Sequence, residues 1–131
     1  MKRLIIAMLC LMLGTSVFAE ELGSGDIQLI KASGLQVYPE AEFVNGSRDV
    51  GYRFATAKSP DEVRTWYKKQ MPNWSLFDKF DSWILYDGKP GAGMGELMTI
   101  NQVSIKENKM LHEWFGIDKA KSTEIVIMIP E

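Results

Sequence analysis

Ser59-Pro60-Asp61-Glu62-Val63-Arg64-Thr65-Trp66-Tyr67-Lys68-Lys69-Gln70-Met71-Pro72 is a helix with both of its ends written into the sequence. Serine at the N-cap accepts from the exposed amides of the first turn, proline suits the first helical position, and Glu62 three residues on completes a capping box. Asp61 meets the positive end of the helix dipole, while Lys68 and Lys69 lie near its negative end. Val63, Trp66, Tyr67 and Met71 recur at helical spacing and give one apolar face; Pro72 stops the helix. A helix with one apolar stripe needs a sheet or a second helix to bury it.

The residues that follow supply the sheet. Trp74 to Asp87 reads as a hairpin around Asp78-Lys79-Phe80-Asp81, with Asp78 facing Asp81, Leu76 facing Trp83 and Trp74 facing Leu85. Those four apolar side chains share a face and form the core under the helix. The opposite face carries Ser75, Phe77, Ser82, Ile84 and Tyr86, a mixed surface. Upstream, Val37-Tyr38-Pro39 is extended, because proline pushes the residue before it out of the helical region. Asn45-Gly46 and Asp49 mark a turn, and Val50 to Thr56 is a half-buried strand with Val50, Tyr52 and Phe54 inward.

Downstream, Gly88 to Gly95 holds four glycines and Pro90 in eight residues and reads as a loop. Leu97 to Ile100 is ambiguous between strand and helical turn; Gln102 to Lys106 is a strand with Val103 and Ile105 inward. Asn108 caps a short helix over Lys109 to Phe115, with Leu111, Trp114 and Phe115 on one side, and Gly116 ends it. Thr123 to Ile129 is apolar on both faces, so it lies centrally and is covered from both sides. The short helix is the candidate for the second cover. The expected fold is α+β: an antiparallel sheet of about five strands, a main helix on one face and a short second helix.

The other end of the chain gives an address. Lys2 and Arg3 precede an unbroken apolar run from Leu4 to Leu13, and Val17-Phe18-Ala19 offers small residues where a signal peptidase reads. Residues 1–19 are expected to be a cleavable signal peptide, 20–36 a flexible polar segment, and 37–131 a single α+β domain. Two alternatives fit less well. An uncleaved membrane helix needs about 20 apolar residues, and Gly14-Thr15-Ser16 interrupts the run. A lipoprotein signal would use Cys10, but the bulky Leu9 stands where a small residue belongs.

Cleavage filters the chemistry. Of 15 basic residues Lys2 and Arg3 leave with the signal, so 13 remain against 17 acidic ones, a net charge of −4 with His112 neutral. That balance gives no argument for binding nucleic acid. Cys10, the only cysteine, also leaves, which excludes disulfides, thiolate metal sites and cysteine nucleophiles from the mature chain. No transmembrane segment remains.

Catalytic patterns are incomplete. His112-Glu113 lacks the second histidine of a zinc helix, position 116 being glycine. The glycine loop lacks the spacing of a phosphate-binding loop, since Lys89 follows the first glycine and Glu96 the last. Asp78 and Asp81 are a carboxylate pair of the type a glycosidase needs, but they flank a tight turn, where such residues are solvated. No nucleophile elbow is visible. Asn45-Gly46-Ser47 matches a glycosylation acceptor and reads here as a turn.

The pattern Val37-Tyr38-Pro39-Glu40-Ala41, then Ser59-x-Asp61-Glu62-Val63-x-x-Trp66-Tyr67, then Met71-Pro72-x-Trp74 resembles small uncharacterised periplasmic proteins and lipoproteins of Gram-negative bacteria. The likeness covers roughly Val37 to Trp83. It implies a helix packed on an antiparallel sheet and carries no catalytic residues over. Glu40 stands where glycine is usual, and the lipid-accepting cysteine is missing, so the resemblance does not extend to a membrane anchor.

These readings lead to an exported periplasmic accessory or binding domain, non-enzymatic, without metal or cofactor, whose ligand is unknown and whose partner would be an envelope protein. Secretion beyond the periplasm is the alternative address. A secreted enzyme working through carboxylates is the alternative chemistry, and an envelope-associated structural protein that docks through an open sheet face is the third reading. Phe77, Tyr86 and Trp114 decide the last: terminal segments are expected to cover them, and left open, Phe77, Ile84, Tyr86, His112 and Trp114 make the candidate binding face.

Overall fold

The computed structural model describes residues 22–130; the signal read in residues 1–19, with Cys10, lies outside them. In chain order the elements are α1 (Ser24–Ala32), β1 (Glu42–Ser47), β2 (Gly51–Thr56), α2 (Pro60–Gln70), β3 (Ser75–Lys79), β4 (Ser82–Tyr86), α3 (Met94–Leu97), β5 (Gln102–Glu107), α4 (Leu111–Phe115) and β6 (Thr123–Met128). All six strands form one antiparallel sheet in the order β1-β2-β6-β5-β4-β3. The fold is α+β, with β6 inside the sheet between β2 and β5.

The long helix forms as its sequence dictates. Ser59 Oγ accepts from the Glu62 amide at 3.2 Å, and the Ser59 hydroxyl lies 3.3 Å from the Glu62 carboxylate. Val63 and Tyr67 are wholly buried on the sheet beside Phe54, Leu85, Val103, Ile105, Ile125 and Ile127. Trp66 is only partly buried, and it stands edge-on to both Tyr38 and Tyr67, at centroid distances of 5.2 and 4.8 Å.

The N-terminal residues correct the expectation of a flexible segment. Asp26 lies in the first turn of α1, Lys31 in its last turn, and Gly34 follows with φ +90°. Ile30 and Leu35, each 1% exposed, belong to the same core as α2. The glycine-serine run at residues 23–25 masked a helix whose Ile30, with Leu29 partly buried beside it, packs into the core while Ile27 stays 37% exposed. The Tyr52 hydroxyl donates to Asp26 at 2.7 Å and fastens the start of the helix to β2.

β1 is the sixth strand. Asn45-Gly46 is not the turn that its composition implies; both residues lie within β1, next to a register slip between Phe43 and Asn45, and the chain reverses at residues 48–50, leaving Val50 exposed. Gly46 has φ +124°, and a Cβ there would stand 2.0 Å from the Gly51 carbonyl oxygen. Glycine serves close backbone approach across the strand pair rather than a hairpin turn.

The β3–β4 register also differs. Phe80 and Asp81, at φ 55° and 59°, make a two-residue turn, so Lys79 faces Ser82, Asp78 faces Trp83 and Leu76 faces Leu85. Positive φ at both central residues is the primed-turn geometry usually signalled by Asn or Gly, which is why Phe80 concealed it. The pairing slips by two positions along one strand, so each side chain keeps its side of the sheet, but Leu76, expected in the core under the helix, is 40% exposed and Trp74 only partly buried.

The second face of the sheet is covered twice. Leu111 of α4 packs with Val44, Ala55 and Ile117 over the β1–β2 end, and Gly116 ends that helix at φ 69°. Over the β3–β4 end, Phe77, Ile84 and Tyr86 are buried under Ala92 and Leu97. The Tyr86 hydroxyl donates to the Lys89 carbonyl at 2.9 Å and accepts from the Ala92 amide at 3.2 Å, while the Gln102 amide donates to the Leu97 carbonyl. Glycine-rich residues 88–95 and α3 are thereby folded back onto the sheet.

Candidate functional site

The five residues expected to share a binding face are divided by this packing. Phe77, Ile84 and Tyr86 are core, covered by the internal 88–100 segment and not by either terminus. His112 and Trp114 are exposed on α4, Trp114 to 61%. Nδ1 of His112 sits 2.7 Å from the Ile117 carbonyl, which only accepts, so the ring proton is on that nitrogen. Trp114 stands edge-on to Phe115. No open sheet face joins the five.

Between the two covers, the strands β6 and β5 present a polar strip. Glu124 is 4% exposed; its Oε2 takes the Arg53 Nε at 2.8 Å and the Asn108 amide at 3.1 Å, and its Oε1 lies 3.6 Å from Lys106 Nζ. Arg53 also donates to Asn45 Oδ1 at 2.9 Å and stacks 4.9 Å from the Phe115 ring centre. A groove of about 460 Å³ runs beside it, with Asp81, Ser82 and Ser104 on its walls. Every charged group of the network is matched within the protein. The arrangement is that of a structural ion cluster joining β2, β6 and β5.

Asp78 and Asp81 are both exposed at the tip of the β3–β4 hairpin. Among the described residues no three His, Cys, Asp or Glu side chains come together as a metal site. Among the same residues no helix is long and apolar enough to cross a membrane.

An apolar concavity lies elsewhere, beside α1. It has a volume of about 730 Å³. Ile27 and Ile30 of α1 form one wall, Leu35 and Val37 of the following segment the floor, and Phe43 and Phe54 of β1 and β2 the opposite side. Their placement follows from sequence: Gly34 turns the chain back under the helix, and the Tyr67 hydroxyl donates to the Gln36 carbonyl at 2.7 Å, fixing the segment against α2. Burial drives the Tyr67 hydroxyl far above its usual titration range, so it stays a donor. Among the described residues Lys31 is the single charged residue lining the cleft, with Gln36 the single uncharged polar one.

This geometry suits binding. Ligand sites are concave, mostly apolar, about 300–1,000 Å³, and marked by few polar groups that orient the ligand. The sequence reading did not include it, because most of its lining comes from the segment read as flexible and Phe43 lies in a strand that was not expected. The readable signal was Asp26, Ile27, Ile30, Lys31 and Gly34, a complete set of helix start, face and stop marks. Compared with family models, with curated proteins and with solved structures, the chain matches none.

Proposed function

We propose that the protein is an exported, periplasmic binding domain without catalytic activity, and that it takes an apolar ligand in the cleft beside α1. The observation that carries this reading is the cleft itself: about 730 Å³, walled by aliphatic and phenyl side chains and open enough to leave Ile27 37% exposed. Export is supported by the basic start, the apolar run and the small residues before Glu20. Such a domain would serve by holding a poorly soluble molecule in an aqueous compartment. Among the described residues no carboxylate and no histidine lines the cleft, which favours retention of a ligand over acid-base chemistry.

The test is a titration of the purified protein with N-phenyl-1-naphthylamine, a neutral apolar fluorophore. Saturable binding of one equivalent is expected. Ile27→Glu, at a position exposed enough to accept the change without unfolding, should weaken it at least tenfold, and Trp114→Ala should leave it unchanged. Absence of saturable binding to the unmodified protein overturns the reading.

A further inference from the structure

Granting that the cleft is a ligand site, the placement of charge on its wall says what kind of molecule it takes. We infer that the ligand is a single-chain amphiphile with an anionic head, such as a long-chain carboxylate, whose chain lies against Ile27, Val37, Ala41 and Phe43 and whose head meets Lys31.

Three observations support this. First, the wall formed by the described residues is apolar apart from Lys31 and Gln36, so an occupant that matches it has a long apolar body and one polar end. Second, the Lys31 ammonium has no ion-pair partner among the described residues; Lys68, Lys69, Lys79, Lys89 and Lys119 share that state, but of these six lysines only Lys31 lines the cleft. Nor is it needed to close the helix: the Ser33 amide bonds the carbonyls of Leu29 and Ile30, and the Gly34 amide that of Lys31. Third, the chain as a whole carries a net −2, so a lone cation on an apolar wall is a local reversal of sign. Lys31 is exposed at the margin of the apolar cleft, where its ammonium can meet an anionic head without itself being buried.

The experiment displaces bound N-phenyl-1-naphthylamine with three ligands of equal chain length, used below their micelle concentrations at pH 8: dodecanoate, its methyl ester and dodecyltrimethylammonium. Dodecanoate should displace the probe at a concentration at least tenfold below the ester, with the cationic amphiphile weakest. Lys31→Met should bring acid and ester together, and Lys31→Glu should reverse the order in favour of the cation; circular dichroism verifies that both variants fold. Equal displacement by acid and ester in the unmodified protein, or an unchanged preference in Lys31→Met, overturns the head-group assignment while leaving the apolar site standing. Failure of the probe itself to bind overturns both.

Discussion

Gly46 and Gly91 both take positive φ, at +124° and +89°, yet their surroundings differ completely. At Gly91 a Cβ would meet nothing within 4 Å, so Gly91→Ala carries only the backbone strain, about 1 kcal/mol. At Gly46 the same Cβ would collide with the Gly51 carbonyl at 2.0 Å, and β1 must move away from β2. Gly46→Ala should therefore cost about 2–3 kcal/mol, read as a fall in the urea midpoint clearly larger than that of Gly91→Ala. Glu124 poses the complementary case of a side chain. Both of its oxygens are engaged by donors inside the sheet, so Glu124→Gln leaves Arg53 and Lys106 with a neutral partner and should destabilise by about 1–3 kcal/mol. A stability change within 0.3 kcal/mol in urea denaturation would show that Arg53 repairs its contacts with water. Neither role is visible in composition: an Asn-Gly pair reads first as a turn, and a Glu next to a β-branched run reads as the solvent side of a strand.

At the scale of elements, α1 depends on one hydrogen bond to the sheet and on Ile30. Burial, and then the hydrogen bond to Asp26, push the Tyr52 hydroxyl from 10.0 up to about 12. The folded state thus holds the proton more tightly than the unfolded chain, whose tyrosine titrates near 10. The resulting stability is fully present below pH 10 and is lost as pH rises from 10 through about 12. Thermal melts across that window should show a decline that is shallower in Tyr52→Phe, which is itself weaker by about 1–2 kcal/mol at pH 7; parallel curves for the two proteins would contradict it. The 88–100 segment behaves as a second such element. Ile84 is 7% exposed beneath it, so Ile84→Ser should destabilise by about 2–4 kcal/mol. A soluble, equally stable Ile84→Ser protein would mean that this side of the sheet is not core. Much of this level could be read directly: α2 with its cap, β5 with Val103 and Ile105 inward, α4 ending at Gly116, and which side chains of the β3–β4 hairpin share a side, though not that Phe77, Ile84 and Tyr86 are core and Leu76 exposed. What escaped was the exact hairpin register, because Phe80 in a left-handed turn is a residue whose own preference argues against the geometry it adopts.

For the whole molecule, both helices of the main face share one core with five strands, from Ile30 to Ile129. Unfolding should therefore be a single transition, with tryptophan fluorescence and far-ultraviolet circular dichroism superimposing in urea; separate midpoints would mean that α1 and its segment melt alone. The export reading has its own check at this scale: protein recovered from the periplasm should have an intact mass that begins near Glu20, and retention of the Met1-Lys2-Arg3 start would sink it. The sequence by itself determined the α+β class, the central place of β6, the capped helix and the expectation of export, since each rests on short-range rules of periodicity, capping and cleavage that neighbouring residues satisfy among themselves. Only the tertiary structure decided that residues 24–35 close the core, that residues 88–100 cover Phe77, Ile84 and Tyr86, and that an apolar cleft remains beside α1. Those outcomes depend on which surfaces meet across long stretches of chain, where a polar or glycine-rich segment is drawn into the fold by the apolar area it can cover and not by any pattern of its own.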